Sequence, residues 1–174
     1  MDYRLGRADY AQVPMLYAIM RRVSEDMPDP ALFVPDSEDY LRRHIEERGV
    51  TVAAWAGDMV CAFQIVDFPG NSLENLGHDL GWPQEIRLVS AHMDSVCVLP
   101  EHRGRGLQKK LVAEAELIAA SLGFRAFLST IHPANEPSLK SLLALGYTIG
   151  ATKEKYGGLP RHILYKHVYK HIFA

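Results

Sequence analysis

A short glycine- and arginine-rich segment in the middle of the chain carries the clearest chemical signal. It follows an apolar, strand-like run and leads directly into an amphipathic helical pattern. Its residues are Arg103, Gly104, Arg105, Gly106, Leu107 and Gln108. Free N–H groups at a helix N-terminus bind anions, glycines let a phosphate approach the backbone, and arginines add donors. The segment therefore predicts a phosphate site. An ordinary strand-to-helix turn with surface arginines is the structural alternative.

Two common nucleotide-binding motifs do not fit this segment. A dinucleotide fingerprint requires Gly or Ala three residues after Gly106, where the chain has Lys109, and it normally lies in the first βα unit. A Walker A loop requires GxxxxGK followed by Ser or Thr, and the sequence has none. A nucleotide-binding α/β domain for ATP or NAD is therefore the weakest functional hypothesis.

The hydrophobic pattern that surrounds the segment predicts a mixed α/β fold. Strands are predicted at residues 3–7, 50–56, 59–68, 88–99, 126–131, 147–153 and 162–169. Helices are predicted at residues 13–27, 36–48, 107–122 and 135–145. The order is β-α-α-β-β-β-α-β-α-β-β, which gives a central mixed sheet of about seven strands flanked by about four helices.

The sequence also predicts the limits of the second helix and the nature of one long connection. Asp36 followed by Asp39 predicts the start of the second helix, with an acidic first turn that suits the helix dipole, and Gly49 predicts its end. Residues 70–86 contain several glycines and a proline and predict a long loop. Such a loop is either functional or a solvated connection.

The composition is that of an ordinary globular chain. Its 174 residues suffice for one domain over 1–174, and the net charge of -2 argues against a general nucleic-acid binder. The polar N-terminus and the absence of a membrane-length apolar run favour a cytoplasmic protein without membrane contact. Cys61 and Cys97 form neither a disulfide framework nor a CxxC motif. His167 and His171 have helical metal spacing but follow a strand pattern, so we expect surface residues and no metal.

The motif and the element order together resemble the GNAT superfamily of N-acetyltransferases. The acyl-CoA motif of that family runs Gln/Arg-x-x-Gly-x-Gly/Ala after a strand that ends in Val-x-Pro-Glu. Here Arg103-Gly-Arg-Gly106-Leu-Gln108 follows Val98-Leu-Pro-Glu101, and Gln108 departs from the family's Gly or Ala. The later stretch from Thr130 to Tyr147 also matches, so the resemblance covers essentially the whole chain.

The resemblance implies a fold and a set of binding residues. In this family the fourth and fifth strands splay apart, and the pantetheine arm of acetyl-CoA lies in the gap like an added strand. The implied binding residues are Val96, Cys97 and Val98 for the arm, Arg103 to Gln108 for the pyrophosphate, and Asn135 and Ser138 beside the arm. The Gln108 side chain must then point away from the phosphates, and Cys97 is a buried strand residue rather than a nucleophile.

Acetyl transfer to an amine requires a base and an oxyanion donor. Asp94, just before the implied pantetheine segment, is the candidate base and would act through a water. A strand-end cap or a salt bridge is its structural alternative. The backbone N–H of Val98 is the candidate oxyanion donor. His92 on the same strand face and His132 after the fifth strand are further residues expected near the cleft.

The usual general acid of the family is absent. In many members a Tyr in the helix after the fifth strand protonates the leaving thiolate, and this sequence has Leu142 there. Ser138 and Tyr156 are the substitutes. Tyr156 lies with Gly157 and Gly158 in a predicted turn between the last two strands, and a packed turn aromatic is its structural alternative.

The leading hypothesis is an acetyl-CoA-dependent N-acetyltransferase that acts on a primary amine of a small molecule or peptide. The second hypothesis is a non-catalytic acyl-CoA-binding sensor on the same fold. The only feature that favours it is Leu142 in place of the family's usual tyrosine. The acceptor is not identified, although Asn75, His78 and Asp79 in the 70–86 loop are expected to line its side of the cleft. Whether the protein forms a homodimer stays open.

Overall fold

Seven strands form one mixed sheet in the computed structural model, which describes residues 2–167. The strands are β1 (Arg4–Arg7), β2 (Gly49–Ala56), β3 (Met59–Asp67), β4 (Ser90–Val98), β5 (Ala126–Ile131), β6 (Thr148–Lys155) and β7 (Leu159–His167). Their order across the sheet is β1-β2-β3-β4-β5-β7-β6, and the β4–β5 pair is parallel whereas the other neighbours are antiparallel. The predicted mixed sheet is confirmed. The last two residues of its predicted final strand lie outside the described residues.

Helices pack against this sheet. Residues 2–167 contain five, namely α1 (Val13–Glu25), α2 (Glu38–Arg43), α3 (Gln84–Arg87), α4 (Leu107–Ser121) and α5 (Glu136–Ala144). The sequence predicts about four, and the additional one is α3, a single turn at the end of the predicted 70–86 loop. No helix in this part of the chain is long and apolar enough to cross a membrane.

The core lies where α1 and α4 pack on the central strands. Both helices contact β3 and β4, and α4 also contacts β2. The buried positions of α4 recur at spacings of three and four, as the sequence predicts. They are Leu107, Leu111, Val112, Ala115 and Ala119. This packing fixes the N-terminus of α4 at the end of β4.

The second helix differs from its prediction at both ends. Its N-cap is Ser37 rather than Asp36, because the Ser37 hydroxyl accepts the Tyr40 N–H at 3.1 Å. It ends at Arg43, and Gly49 is the first residue of β2. A Cβ at Gly49 would lie 1.8 Å from the Val66 carbonyl oxygen, so glycine is required there by close strand contact and not by a helix end.

The parallel strands β4 and β5 separate after three paired positions. Their last pair is His92 with Leu128. One residue further, the Ser129 hydroxyl donates to the Met93 carbonyl at 2.7 Å in place of a backbone hydrogen bond. The predicted splay of the fourth and fifth strands is confirmed.

A β-bulge lies in β4 at the point where the strands separate. On the β3 side, Asp94 and Ser95 together lie opposite the single residue Ile65. The buried Gln64 amide donates to the carbonyls of Ile65, Asp94 and Ser95 at 2.7, 3.3 and 3.4 Å. Because a bulge bends its strand and changes where side chains point, it determines the placement of Asp94 and Ser95 in the cleft.

Candidate active site

The glycine-rich segment forms a left-handed turn that opens α4. Gly104 and Gly106 both have φ +72°, and Gly106 is the N-cap of the helix. In the described part of the chain no side chain caps the first turn of α4, so its N–H groups keep their hydrogen-bonding capacity. A Cβ at either glycine would meet no atom within 4 Å, and the turn is exposed. This geometry fits a diphosphate group.

The polar side chains of this turn make contacts within the protein. The Arg103 guanidinium pairs with Asp26 at 2.6 Å and donates to the Val98 carbonyl at 3.3 Å, whereas Arg105 is exposed. The Gln108 amide donates to the Ser138 hydroxyl at 2.7 Å. That contact joins the beginnings of α4 and α5.

The start of α5 follows its prediction. The Asn135 side chain is the N-cap and accepts the Ser138 N–H at 3.4 Å. Leu142, at the position of the family's usual tyrosine, is 2% exposed and belongs to the apolar core. Ser138 lies at the α4–α5 junction, and its predicted catalytic role stays a prediction.

The end of β4 presents free backbone to the gap. Val96, Cys97 and Val98 pair with β3 on one side, and within residues 2–167 they have no strand partner on the side of β5. An extended ligand can therefore add to this edge through main-chain hydrogen bonds. The Cys97 side chain is fully buried, and this burial raises the pKa of its thiol, as expected for an unreactive strand residue.

Asp94 lies at the bulge next to this free edge. It is half-buried, and its carboxylate accepts a hydrogen bond from the Tyr40 hydroxyl. Burial raises the pKa of the Asp94 carboxyl, while the hydrogen bond from Tyr40 opposes that rise. Within residues 2–167 no Lys, Arg or His lies within ion-pair distance of it, which removes the salt-bridge alternative for this part of the chain.

A second carboxylate, which the sequence analysis assigns to a helix start, belongs to the same cleft. Asp36 precedes α2, and its side chain accepts a hydrogen bond from the Ser95 hydroxyl at 2.7 Å. Burial, followed by the charge of Asp94, raises the pKa of Asp36 to about 6. The hydrogen bond from Ser95 opposes this rise. The Ser95 contact thus brings Asp36 to the β4 bulge that carries Asp94.

Behind Asp94 lies a buried network of aromatic and acidic side chains. The Tyr40 ring stacks on His44 with 3.9 Å between centroids. His44 Nδ1 faces the Tyr40 carbonyl at 2.7 Å, and His44 Nε2 faces Asp67 at 3.0 Å. Asp67 also lies 3.4 Å from His92 Nδ1. Burial alone would raise the pKa of Asp67, but the hydrogen bonds from both histidines lower it. Tyr40 is held in place by this network.

The 70–86 loop is attached to the same network. His92 Nε2 accepts the Leu76 N–H at 3.1 Å. The Asn75 amide is 1% exposed and donates to the carbonyls of Gly70 and Arg87, so it organises the loop itself. Asp79 pairs with Lys155 at 2.6 Å beside the β6–β7 turn. That the loop lines the acceptor side stays a prediction. The Asn75 amide and the Asp79 carboxylate already have partners within the protein.

Tyr156 lies in the turn between β6 and β7 and reaches the end of β5. It has φ +52°, and its hydroxyl forms a hydrogen bond of 2.9 Å with Thr130, beyond the last β4–β5 pair. Its ring is exposed, yet burial of the hydroxyl end raises the pKa of the phenol. The charges of Asp94 and Asp36 contribute to that rise.

His132 and His92 differ in their surroundings. His132 Nδ1 accepts the Ala134 N–H at 3.1 Å and caps the turn before α5. His92 is buried between Asp67 and the loop.

Across residues 2–167 no group of three or more His, Cys, Asp or Glu side chains is placed to hold a metal ion. Of the pair at 167 and 171, His171 lies outside the described residues.

Comparison with known proteins identifies the family. The model of the acetyltransferase (GNAT) family matches residues 16–147. The chain belongs to this family and is an acyltransferase. No curated protein matches it at a significant level.

Solved structures of the same fold cover nearly the whole chain. The ribosomal-protein-S18-alanine N-acetyltransferase of Escherichia coli has a TM-score of 0.74 at 15% identity, with 98% of this chain and 96% of that one covered. The yncA protein of Salmonella typhimurium, solved with acetyl-CoA, has a TM-score of 0.74 at 17% identity over 100% and 98%. The phosphinothricin acetyltransferase of Sinorhizobium meliloti, also in complex with acetyl-CoA, has a TM-score of 0.70 at 19% identity, with 96% of this chain and 89% of that one covered. At these identities the likeness concerns the fold.

Proposed function

We propose that this protein transfers the acetyl group of acetyl-CoA to a primary amine of a small molecule or peptide. The observation that carries the proposal is the half-buried Asp94, which lies at the splay of β4 and β5 without a cationic partner in residues 2–167. A carboxylate in that position has the pKa behaviour and the location that a base toward an ammonium group requires.

The residues present fit acetyl-CoA as the co-substrate. The left-handed turn at Gly104 and Gly106 and the uncapped start of α4 suit its pyrophosphate. The unpaired edge of residues 96–98 suits its pantetheine arm. Two structural neighbours were solved with acetyl-CoA, which supports this assignment. When bound, the thioester supplies an activated acetyl group.

The chain's own residues then have three tasks. Asp94 accepts a proton from the acceptor ammonium, directly or through a water. The backbone N–H of Val98 donates to the carbonyl oxygen of the thioester as negative charge develops there, so that attack proceeds through a tetrahedral intermediate. Tyr156, whose raised pKa keeps the phenol protonated at neutral pH, donates a proton to the leaving thiolate.

Release of free thiol from acetyl-CoA tests the proposal directly. Wild-type protein is incubated with acetyl-CoA and a panel of primary amines that includes butylamine, amino acids, polyamines and short peptides. We expect thiol release above the rate without acceptor for at least one amine, together with an acetylated product by mass spectrometry.

The non-catalytic alternative predicts a different outcome. Leu142 replaces the tyrosine that serves as acid in many members of the family. An acyl-CoA sensor would be stabilised by CoA against thermal unfolding and would release no thiol with any amine. Stabilisation by CoA without turnover across the whole panel would replace the enzyme proposal with this one.

A further inference from the structure

Two partly buried acids of the cleft lack a cationic partner within residues 2–167, in contrast to Asp67 and Asp79. Asp67 contacts two histidines, and Asp79 pairs with two lysines. Within residues 2–167 neither Asp36 nor Asp94 has a Lys, Arg or His within ion-pair distance. Each instead accepts a hydrogen bond from a neutral hydroxyl, Asp36 from Ser95 and Asp94 from Tyr40.

The fold brings these two acids together from distant parts of the sequence. Asp94 lies on the β4 bulge, and Ser95, the next residue, binds Asp36 at 2.7 Å. Asp36 is carried by the connection between α1 and α2, which the buried Arg161 holds against β7 through the Ala31 carbonyl at 2.8 Å. Because Ser95 directly follows Asp94, this hydrogen bond brings both carboxylates to one part of the cleft, and with no counter-ion in residues 2–167 the pair can bind a cation.

Charged and titratable groups surround the pair on several sides. His44, after α2, lowers the pKa of both acids, and His92 on β4 lowers that of Asp94. Asp67, at the end of β3, raises the pKa of Asp94. The Tyr40 hydroxyl on α2 donates to Asp94, and the Tyr156 hydroxyl, from the β6–β7 turn, contacts Thr130 on β5. None of these groups neutralises both carboxylates.

We propose that Asp36 is a second catalytic carboxylate, which binds the acceptor ammonium together with Asp94 and shares the proton that the ammonium releases. This inference rests on the proposed function and extends it to the acceptor class, namely primary amines that arrive as cations. The ammonium gives one proton to the pair, and the neutral nitrogen attacks the thioester carbonyl carbon. The C–N bond forms first and gives the tetrahedral intermediate, and the C–S bond then breaks. Tyr156 gives its proton to the departing thiolate, and the second nitrogen proton restores the phenol.

Titration of the carboxyl groups tests the shared proton without any acceptor. The experiment follows ¹³C-carboxyl NMR of labelled aspartates against pH in the wild type, Asp36→Asn and Asp39→Asn, with the Asp94 signal assigned by its loss in Asp94→Asn. Because removal of a neighbouring negative charge favours ionisation, Asp94 should titrate about one pH unit lower in Asp36→Asn. Asp39, exposed and paired with Arg43 on α2, should leave it unchanged. An Asp94 titration that is identical in all three proteins overturns the proposal.

Two acceptors of equal length test the role of Asp36 in catalysis. Butylamine is a cation at pH 7, whereas O-propylhydroxylamine is neutral, so only the first needs a carboxylate to bind and deprotonate it. Asp36→Asn should lower kcat/KM for butylamine about tenfold or more and change that for O-propylhydroxylamine by less than about threefold. Equal losses for both acceptors would make Asp36 a structural residue and overturn the proposal.

Thiol release by the wild type tests the proposed acetyl transfer, whereas the Asp36→Asn variant tests the second carboxylate. If no amine of the panel releases thiol from the wild type, the proposed acetyl transfer fails, and the titration still decides whether the acids share a proton. If amines are acetylated, and Asp36→Asn matches Asp39→Asn in the titration and the wild type with both acceptors, acetyl transfer stands and the second carboxylate is refuted.

Discussion

Tyr156 is a side chain whose position in the cleft depends on its own backbone conformation. At φ +52° the turn directs the ring across the end of the sheet to Thr130 on β5. Non-glycine residues seldom adopt this conformation, and such strain is concentrated at functional sites. The sequence places Tyr156 in a turn next to two glycines, but only the fold shows that its hydroxyl meets the open end of the splay.

Removal of the Tyr156 hydroxyl should slow turnover and leave binding intact. We expect Tyr156→Phe to lower kcat about tenfold or more, because the leaving thiolate loses its proton donor, with CoA affinity and Tm close to wild type. Steady-state thiol release and thermal shift measure these quantities. Tyr10→Phe, at an exposed tyrosine before α1, is the control. Normal kcat with a raised acceptor KM would instead make Tyr156 a binding residue.

The acids show what sequence reasoning can and cannot find. Asp94 could be proposed because it directly precedes a strand whose role the family resemblance defines. Asp36 stands beside Ser37, and either side chain can cap a helix, so a local pattern could not tell which one is free. The hydrogen bond between Asp36 and Ser95 joins residues 59 positions apart in the sequence. It depends on the hydrogen bond between Arg161 and Ala31, which are 130 positions apart. No periodicity encodes contacts of that range.

Among the elements, the turn from β4 into α4 is the one that the sequence defines best. Its glycines, its arginines and the following helix are contiguous, so composition and spacing are sufficient to predict it. By contrast, α2 ends at Arg43, before its predicted end, and Gly49 belongs to β2, where it allows close contact with Val66. The β4 bulge arises from pairing with β3, which a single strand pattern does not reveal.

A side chain at Gly106 should abolish binding of CoA. Valine there is strained at φ +72° and places a branched Cβ beside the uncapped N–H groups of α4. We expect thermal stabilisation by CoA in the wild type and none in Gly106→Val. Gly123→Val is the matched control, because Gly123 also has positive φ and open space but lies at the other end of α4. Gly123→Val should keep the stabilisation by CoA, and stabilisation that persists in Gly106→Val would place the phosphates elsewhere.

At the scale of the whole molecule, the acids of the cleft affect folding stability with pH in opposite directions. The pKa of Asp67 is lowered in the folded protein, so its contribution is present at neutral pH and is lost as the pH falls. The pKa of Asp36 is raised from 3.8 to about 6, so the unfolded chain releases that proton first as the pH rises. Asp36 therefore makes the free energy of unfolding fall between about pH 4 and pH 6.

Replacement of Asp36 should consequently stabilise the protein only above that range. We expect the free energy of unfolding of Asp36→Asn to exceed that of the wild type by on the order of 1 kcal/mol at pH 7, and by nothing measurable at pH 4. Denaturant titrations at the two pH values give the difference, with Asp39→Asn as the control. A gain of equal size at both pH values would show that the carboxyl of Asp36 is not perturbed in the folded state.

In the proposed reaction Asp94, at the splay beside the free edge of β4, removes the proton of the acceptor amine. The measurement is the rate of thiol release by Asp94→Asn with the best amine of the panel, alongside its affinity for CoA. Asparagine keeps an oxygen for the Tyr40 hydroxyl, so the fold and CoA affinity should persist while kcat falls on the order of a hundredfold. Turnover equal to wild type, or a loss of stability alone, would contradict the claim and leave Asp94 with a structural role.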